Sequence, residues 1–232
     1  ALGDEASNRN AWPEATEYYS HALKLAKDNL ETDQLALVRY KLSFGHFQSK
    51  NYYAAAVLGE YVARYQRESA YAAPAAHVAM EALARAFNDV EKAQQSSTFE
   101  ENRIARLVDY VTSTWPTAPE ANAGRFLLGE LHVHQGRFEA AGQVYESVSS
   151  SSPDYAKALG RSGDAYWRVY VDGATKPRDE REPEKMADAL KRARENLAKG
   201  VAEQVKNLKP DAPLSVELAE SEINLAEVSI ES

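Results

Sequence analysis

ANAGRFLLGELHVHQGRFEAAGQVYESVSSSSPDYAKALGRSGDAY, residues 121–166, is the stretch whose reading decides the fold. It contains two amphipathic helical segments parted by Gln135-Gly136-Arg137 and closed by the polar run 149–153. In the first, Phe126, Leu127, Leu131 and Val133 surround Gly129, a small residue where another helix backbone is expected to come close. In the second, Phe138, Ala141, Val144, Tyr145 and Val148 recur at three- and four-residue spacings, which place them on one helical stripe. The pattern then restarts: Gly163 follows Gly129, and Tyr166 follows His132, by the same 34 residues.

A 34-residue period with these residue types resembles the tetratricopeptide repeat, whose signature runs W-x2-L-G-x2-Y, then A-x3-F, then P. Leu128-Gly129 and His132 stand at the Leu-Gly and Tyr positions, Ala141 and Tyr145 at the A-x3-F positions, and Pro153 at the terminal proline. Arg125 occupies the tryptophan position, a departure from the signature. The resemblance implies an all-α protein, a right-handed superhelical solenoid of stacked antiparallel helix pairs with about eleven helices in all.

Composition agrees with a helical, globular chain. Of 232 residues, 44% are hydrophobic and 27% charged, and only 11 Gly and 9 Pro interrupt them. The net charge of −8 repels phosphate backbones on average, so nucleic acid is not expected as a partner. With no cysteine there are no disulfides, thiolate metal sites or cysteine nucleophiles. No apolar run approaches the ~20 residues of a membrane span, and Ala1-Leu2-Gly3-Asp4 is not a signal peptide. The chain is therefore expected to be soluble, in the cytoplasm or a bacterial periplasm, without direct membrane insertion.

The same register extends outward over the whole chain as one solenoid, with approximate units 1–30, 34–70, 71–118, 119–154, 155–209 and 213–232 and a partial repeat at each end. Leu2-Gly3 sits at a Leu-Gly position, because Ala15 follows Gly3 by 12 residues just as Ala141 follows Gly129. Helices are expected over 12–27, 34–49, where Leu42-Ser43 replaces Leu-Gly, and 52–67. The turn 65–69 resembles the tyrosine-proline-x-serine ending of bacterial envelope repeats, with Gln66 in place of proline. Pro74 suits the first turn of the next helix, which is expected to run to about residue 92. Helices over 99–114 and 155–171 follow. The charged run 172–182 (DGATKPRDERE) reads as a solvated loop. Beyond it, Met186, Leu190, Ala193, Leu197, Val201, Val205 and Leu208 predict one sustained stripe along a long helix.

Catalytic and metal motifs are missing: there is no phosphate-binding glycine loop, no H-E-x-x-H and no G-x-S-x-G. His132 and His134 are two apart on a helix and point about 200° apart, which leaves no joint metal site. No cofactor and no enzyme activity are expected. The resemblance instead implies a groove, lined by the first helix of each unit, that holds a peptide or partner protein. Transferred by register, its residues are Tyr40, Phe44 and Phe47 in the second unit and His77 and Met80 in the third. Phe126, Glu130 and His134 follow in the fourth, and Lys157, Arg161, Asp164, Trp167 and Arg168 in the fifth. Arg can hold a carboxylate bidentately and Trp buries a large area, so the last set has the chemistry of an anchor. The expected function is a non-catalytic protein-interaction scaffold. Its alternatives are a structural spacer or oligomerisation segment that self-associates through truncated end repeats, and an envelope-assembly repeat protein.

Overall fold

The computed structural model describes residues 2–26, 31–206, 208 and 213–231. Among these there are eleven α-helices, one short 3-10 helix over Arg178–Glu180, and no strand. The end of the expected unit 1–30 and the boundary between the units 155–209 and 213–232 fall outside the described residues. The chain divides into two compact units, Ala1–Gly124 and Arg125–Ser232.

The first unit holds α1 (Leu2–Asn8), α2 (Trp12–Ala26), α3 (Thr32–Gln48), α4 (Tyr52–Tyr65), α5 (Ala72–Lys92) and α6 (Thr98–Thr114). Each helix packs on the next, and α3 also packs on α5. That next-but-one contact is what stacking hairpins side by side produces, and it is the mark of an α-solenoid. α7 (Pro119–His134) ends the first unit and starts the second, which continues with α8 (Phe138–Glu146), α9 (Tyr155–Thr175), α10 (Pro183–Lys206) and α11 (Val216–Glu231). Here too, α8, α9, α10 and α11 pack in succession and α9 packs on α11.

One backbone device closes the tight hairpins. After α1, α3, α5 and α7 comes a residue with positive φ: Asn10 (58°), Lys50 (62°), Gln94 (55°) and Gly136 (69°). The N–H that follows each of them reaches back to a carbonyl of the last helical turn. These bonds are Ala11 to Ala6 (2.9 Å), Asn51 to His46 (2.8 Å), Gln95 to Val90 (3.1 Å) and Arg137 to His132 (2.8 Å). This is the Schellman cap, which satisfies carbonyls that a helix end leaves without partners. Three of the four positions carry a side chain in a conformation that crowds its Cβ. Lys50→Gly and Gln94→Gly are therefore expected to stabilise the first unit by about 0.5–1 kcal/mol each, and Gly136→Ala to destabilise the second by about 1 kcal/mol. Urea denaturation checks this. Lower midpoints for both glycine variants would contradict it.

Small residues admit neighbours in two ways. At Gly59 a Cβ would lie 2.4 Å from the Ala75 carbonyl oxygen, and at Gly163 2.8 Å from the Leu197 nitrogen, so helix backbones meet there. Gly129 was expected to admit a backbone too, but what covers it is the ring of Tyr145, 2.4 Å from a Cβ built at that position. Val148, expected on the helical stripe of α8, lies just past the helix and is still buried with Ala141 and Tyr145.

Two expectations are corrected in the second unit. The run 172–182 is not wholly a loop. α9 continues through Thr175, because Gly173 lets Met186 lie against it and so extends the α9–α10 contact by a turn. The stripe of α10 also fails to hold its course. Successive four-residue steps each overshoot a turn by about 40°, so Val205 ends 46% exposed while Ala189, Ala193, Leu197 and Gly200 carry the buried face.

Candidate functional site

Leu2-Gly3-Asp4 and Leu128-Gly129-Glu130 build the same local arrangement 126 residues apart. In each, the glycine is covered by a tyrosine ring sixteen residues on, Tyr19 over Gly3 and Tyr145 over Gly129. The tyrosine hydroxyl then donates to the acid beside the glycine, Tyr19 to Asp4 at 2.9 Å and Tyr145 to Glu130 at 2.9 Å. A cation from the first helix of the following hairpin completes the group. Lys41 on α3 donates to Asp4 at 2.5 Å, and Arg161 on α9 stands 3.8 Å from Glu130. Lys41 lies two residues before the small Ser43, and Arg161 two before Gly163, so the cations share a register as well.

The electrostatics follow from this geometry. Its hydrogen bond from Lys41 holds the Asp4 carboxyl well below the ordinary carboxylate range. Burial, helped by Glu130, pushes the Tyr145 hydroxyl far up, so it stays a donor throughout the physiological range. A lowered folded pKa means that the contribution of Asp4 is complete above its unfolded value near ~3.9 and is lost as pH falls through the lower folded value. The Asp4 and Lys41 side chains are partly exposed, so Asp4→Asn is expected to cost only about 0.5–1 kcal/mol at pH 7. Thermal melts of both proteins should keep that gap down to about pH 5 and close it in stronger acid. A gap that widened with acidification would refute the assignment.

Each arrangement floors a cleft. In the first unit, Asp4, Ser7 and Asn8 of α1, Trp12 and Tyr19 of α2, and Tyr40, Lys41 and Phe44 of α3 line a volume of about 410 Å³. Its aromatic character comes from Trp12 edge-on to Phe44 (centroids 5.5 Å apart) and from Tyr40, stacked on Tyr71 at 6.0 Å. In the second unit, a cleft of about 290 Å³ is lined by Glu130, Val133, Tyr145, Arg161, Asp164, Arg168 and, from α11, Glu220, Ile223 and Asn224. The buried Arg161 Nε has no hydrogen-bond partner among the described residues. The Arg168 guanidinium lies over the Phe138 ring at 5.3 Å.

The sequence-derived candidates therefore separate into groups. Tyr40 and Phe44 share the first cleft, and Glu130, Arg161, Asp164 and Arg168 share the second. Phe47 packs instead on Tyr52 across its own hairpin turn, 6.0 Å away. Met80, expected on a binding face, is 1% exposed and faces Gly124, because α5 is enclosed by its neighbours. His77 is half-buried on α5, and His134 is exposed at the end of α7. Phe126 sits edge-on to Tyr145 at 5.4 Å with Lys157 above its ring at 5.3 Å.

α11 runs along α9 and engages several of the remaining candidates. Lys157 pairs with Glu217 at 4.0 Å, Asn224 donates to Asp164 at 2.8 Å, and Trp167 donates to Glu227 at 3.2 Å. Burial raises the Asp164 carboxyl above its usual range, and the Asn224 bond only partly offsets this. Trp12, Asp4, Lys41 and the α11 residues escaped the sequence reading. The repeated Gly-acid pair, with tyrosine sixteen residues later in both places, was the signal for Asp4.

Among the described residues, no helix is long and apolar enough to cross a membrane, and no three His, Asp or Glu side chains gather as a metal site. No protein-family model and no curated protein matches the chain. Among solved structures it is similar to a TPR repeats protein from Bacteroides fragilis NCTC 9343, at 17% sequence identity and a TM-score of 0.51, over 100% of this chain and 96% of that one. At that identity the likeness is one of fold.

Proposed function

From a chain that folds as a tetratricopeptide-type helical repeat, we propose a non-catalytic scaffold that holds a segment of a partner protein against the first helices of its hairpins. The observation that carries this reading is the acid–tyrosine–cation group built twice in the same register, each time beneath an open cleft. A rigid floor of this kind holds the lining side chains in place before a ligand arrives, which lowers the entropy cost of binding. Trp12, Tyr40 and Phe44 suit an apolar anchor residue of an extended segment. Arg161 and Arg168 suit a carboxylate, since an entering acceptor would satisfy the Arg161 Nε. The repeat frame 1–30, 34–70, 71–118, 119–154, 155–209 and 213–232 is the frame in which these helices are numbered as first or second.

Selection of a displayed library of extended peptides on the full chain tests the proposal. Enriched peptides should share an apolar anchor or an acidic residue. Phe44→Ala should weaken those with the apolar anchor by about thirtyfold, the loss typical of a central aromatic contact. Far-ultraviolet circular dichroism should be unchanged. Peptides that bind the Phe44→Ala and Arg161→Glu variants as well as the parent would overturn the reading.

A further inference from the structure

α11 is apolar on two opposite sides, and only one of them is covered. Its inner side carries Leu218, Ser221, Leu225 and Val228. Leu218 and Val228 are fully buried, and Val228 packs with Leu197 of α10 and Tyr166 of α9. Its outer side carries Val216, Ala219, Ile223, Ala226 and Ile230, at spacings of three, four, three and four. Val216, Ile223 and Ile230 are 71%, 60% and 83% exposed. In a heptad frame these five are the a and d positions, with β-branched residues at every a and alanine at every d. A helix with apolar residues on both sides is characteristic of one enclosed between two neighbours.

The residues beside this stripe say what kind of neighbour fits. Glu220 and Glu227 flank it at the e positions and Glu222 at a g position, and residues 214–231 contain no Lys or Arg. Were a second copy of α11 laid against it in parallel, Glu222 would meet Glu227 of the other copy. Laid antiparallel, e would meet e and g would meet g, again glutamate against glutamate. Like charges across such a seam are disfavoured, whereas Lys or Arg at those places would pair. The small alanines let a partner backbone approach closely. From this we infer that the outer face of α11 docks an amphipathic helix of a partner protein, with an apolar stripe at heptad spacing and basic residues on both edges.

This surface meets the second cleft at Glu220 and Ile223, whereas Glu222 and Ile230 line neither cleft. Two designed helical peptides serve as probes on the full chain, identical in their Ile and Leu seam but with Lys at every e and g position in one and Glu in the other. Fluorescence anisotropy should show the basic peptide binding at least about tenfold more tightly than the acidic one. Ile230→Asp should weaken it by about tenfold or more with the melting temperature unchanged, and Glu222→Lys should narrow the preference. Phe44→Ala, in a cleft that no α11 residue lines, should leave this binding intact, so failure of the cleft reading and failure of this one are told apart. Equal affinity for both peptides, or binding unaffected by Ile230→Asp, would overturn the inference. So would concentration-dependent self-association in sedimentation that Ile230→Asp abolishes, because the face would then belong to a second copy.

Discussion

Gly59→Leu is expected to unfold the first unit at temperatures where the parent is native. A Cβ at this position would already stand 2.4 Å from the Ala75 carbonyl oxygen, 3.0 Å from the Ala79 Cβ and 3.1 Å from the Ser43 Oγ. Three helices meet there, and Ser43 is held in turn by its bond to the Ala55 carbonyl at 2.8 Å. A backbone oxygen cannot rotate aside as a side chain does, so relief requires that α4 and α5 separate. Overpacking of this kind typically costs about 1–3 kcal/mol for a small increment. Even Gly59→Ala should therefore lose stability, despite the ~1 kcal/mol by which alanine favours a helix over glycine. Leucine should cost about 4 kcal/mol or more, which at about 2–4 °C per kcal/mol is a shift of roughly 10 °C. Gly124→Ala is the control. Its nearest neighbour is the Met80 sulfur at 3.2 Å, part of a flexible side chain, so the change should be neutral or stabilising. Equal melting temperatures for Gly59→Ala and Gly124→Ala would show that the α4–α5 contact is not as close as described.

The second large effect is expected at Tyr145. The side chain is 1% exposed, lies over Gly129, packs edge-on to Phe126 and donates to Glu130. Tyr145→Ala removes a ring that nothing nearby can replace, at a cost of about 3–5 kcal/mol. Tyr145→Phe keeps the ring and loses a hydrogen bond to a charged acceptor, about 1.5–3 kcal/mol. Because the ring occupies the space a Cβ on Gly129 would need, the two positions should be strongly coupled. Gly129→Ala should destabilise the parent but be neutral or better in the Tyr145→Ala background. Chemical denaturation of the four proteins measures this coupling, and additive losses would contradict the ring-over-glycine contact. The same cycle at Gly3 and Tyr19 should have the same sign if the two arrangements are equivalent.

These two residues also show how much could be read ahead of the structure. Glycine 129 was recognisable as a close-packing position from its place in the 34-residue period, and Tyr145 as its repeat's aromatic. That the two touch each other, with no helix backbone entering at Gly129, was not recognisable, since the period says which residues face inward and not which of them meet. Tyr40, Phe44, Arg161, Asp164 and Arg168 were found by register and do line clefts. Met80 was placed by the same rule and is buried, because α5 is enclosed by its neighbours. Val205 failed for a geometric reason: steps of four residues look continuous in a sequence while they wind around a helix.

Hydrophobic periodicity and the spacing of small residues are local properties of the chain, and they determined by themselves that it would form helical hairpins and where most would start and stop. The positive-φ caps at Asn10, Lys50 and Gln94 are seen only in the structure, since no glycine announces them in the sequence. The tertiary structure also decided the pairing of each acid with a tyrosine and a cation, and among the described residues it leaves Val216, Ile223 and Ile230 of α11 exposed. Those outcomes depend on which helices lie beside one another, which the spacing within one repeat does not specify.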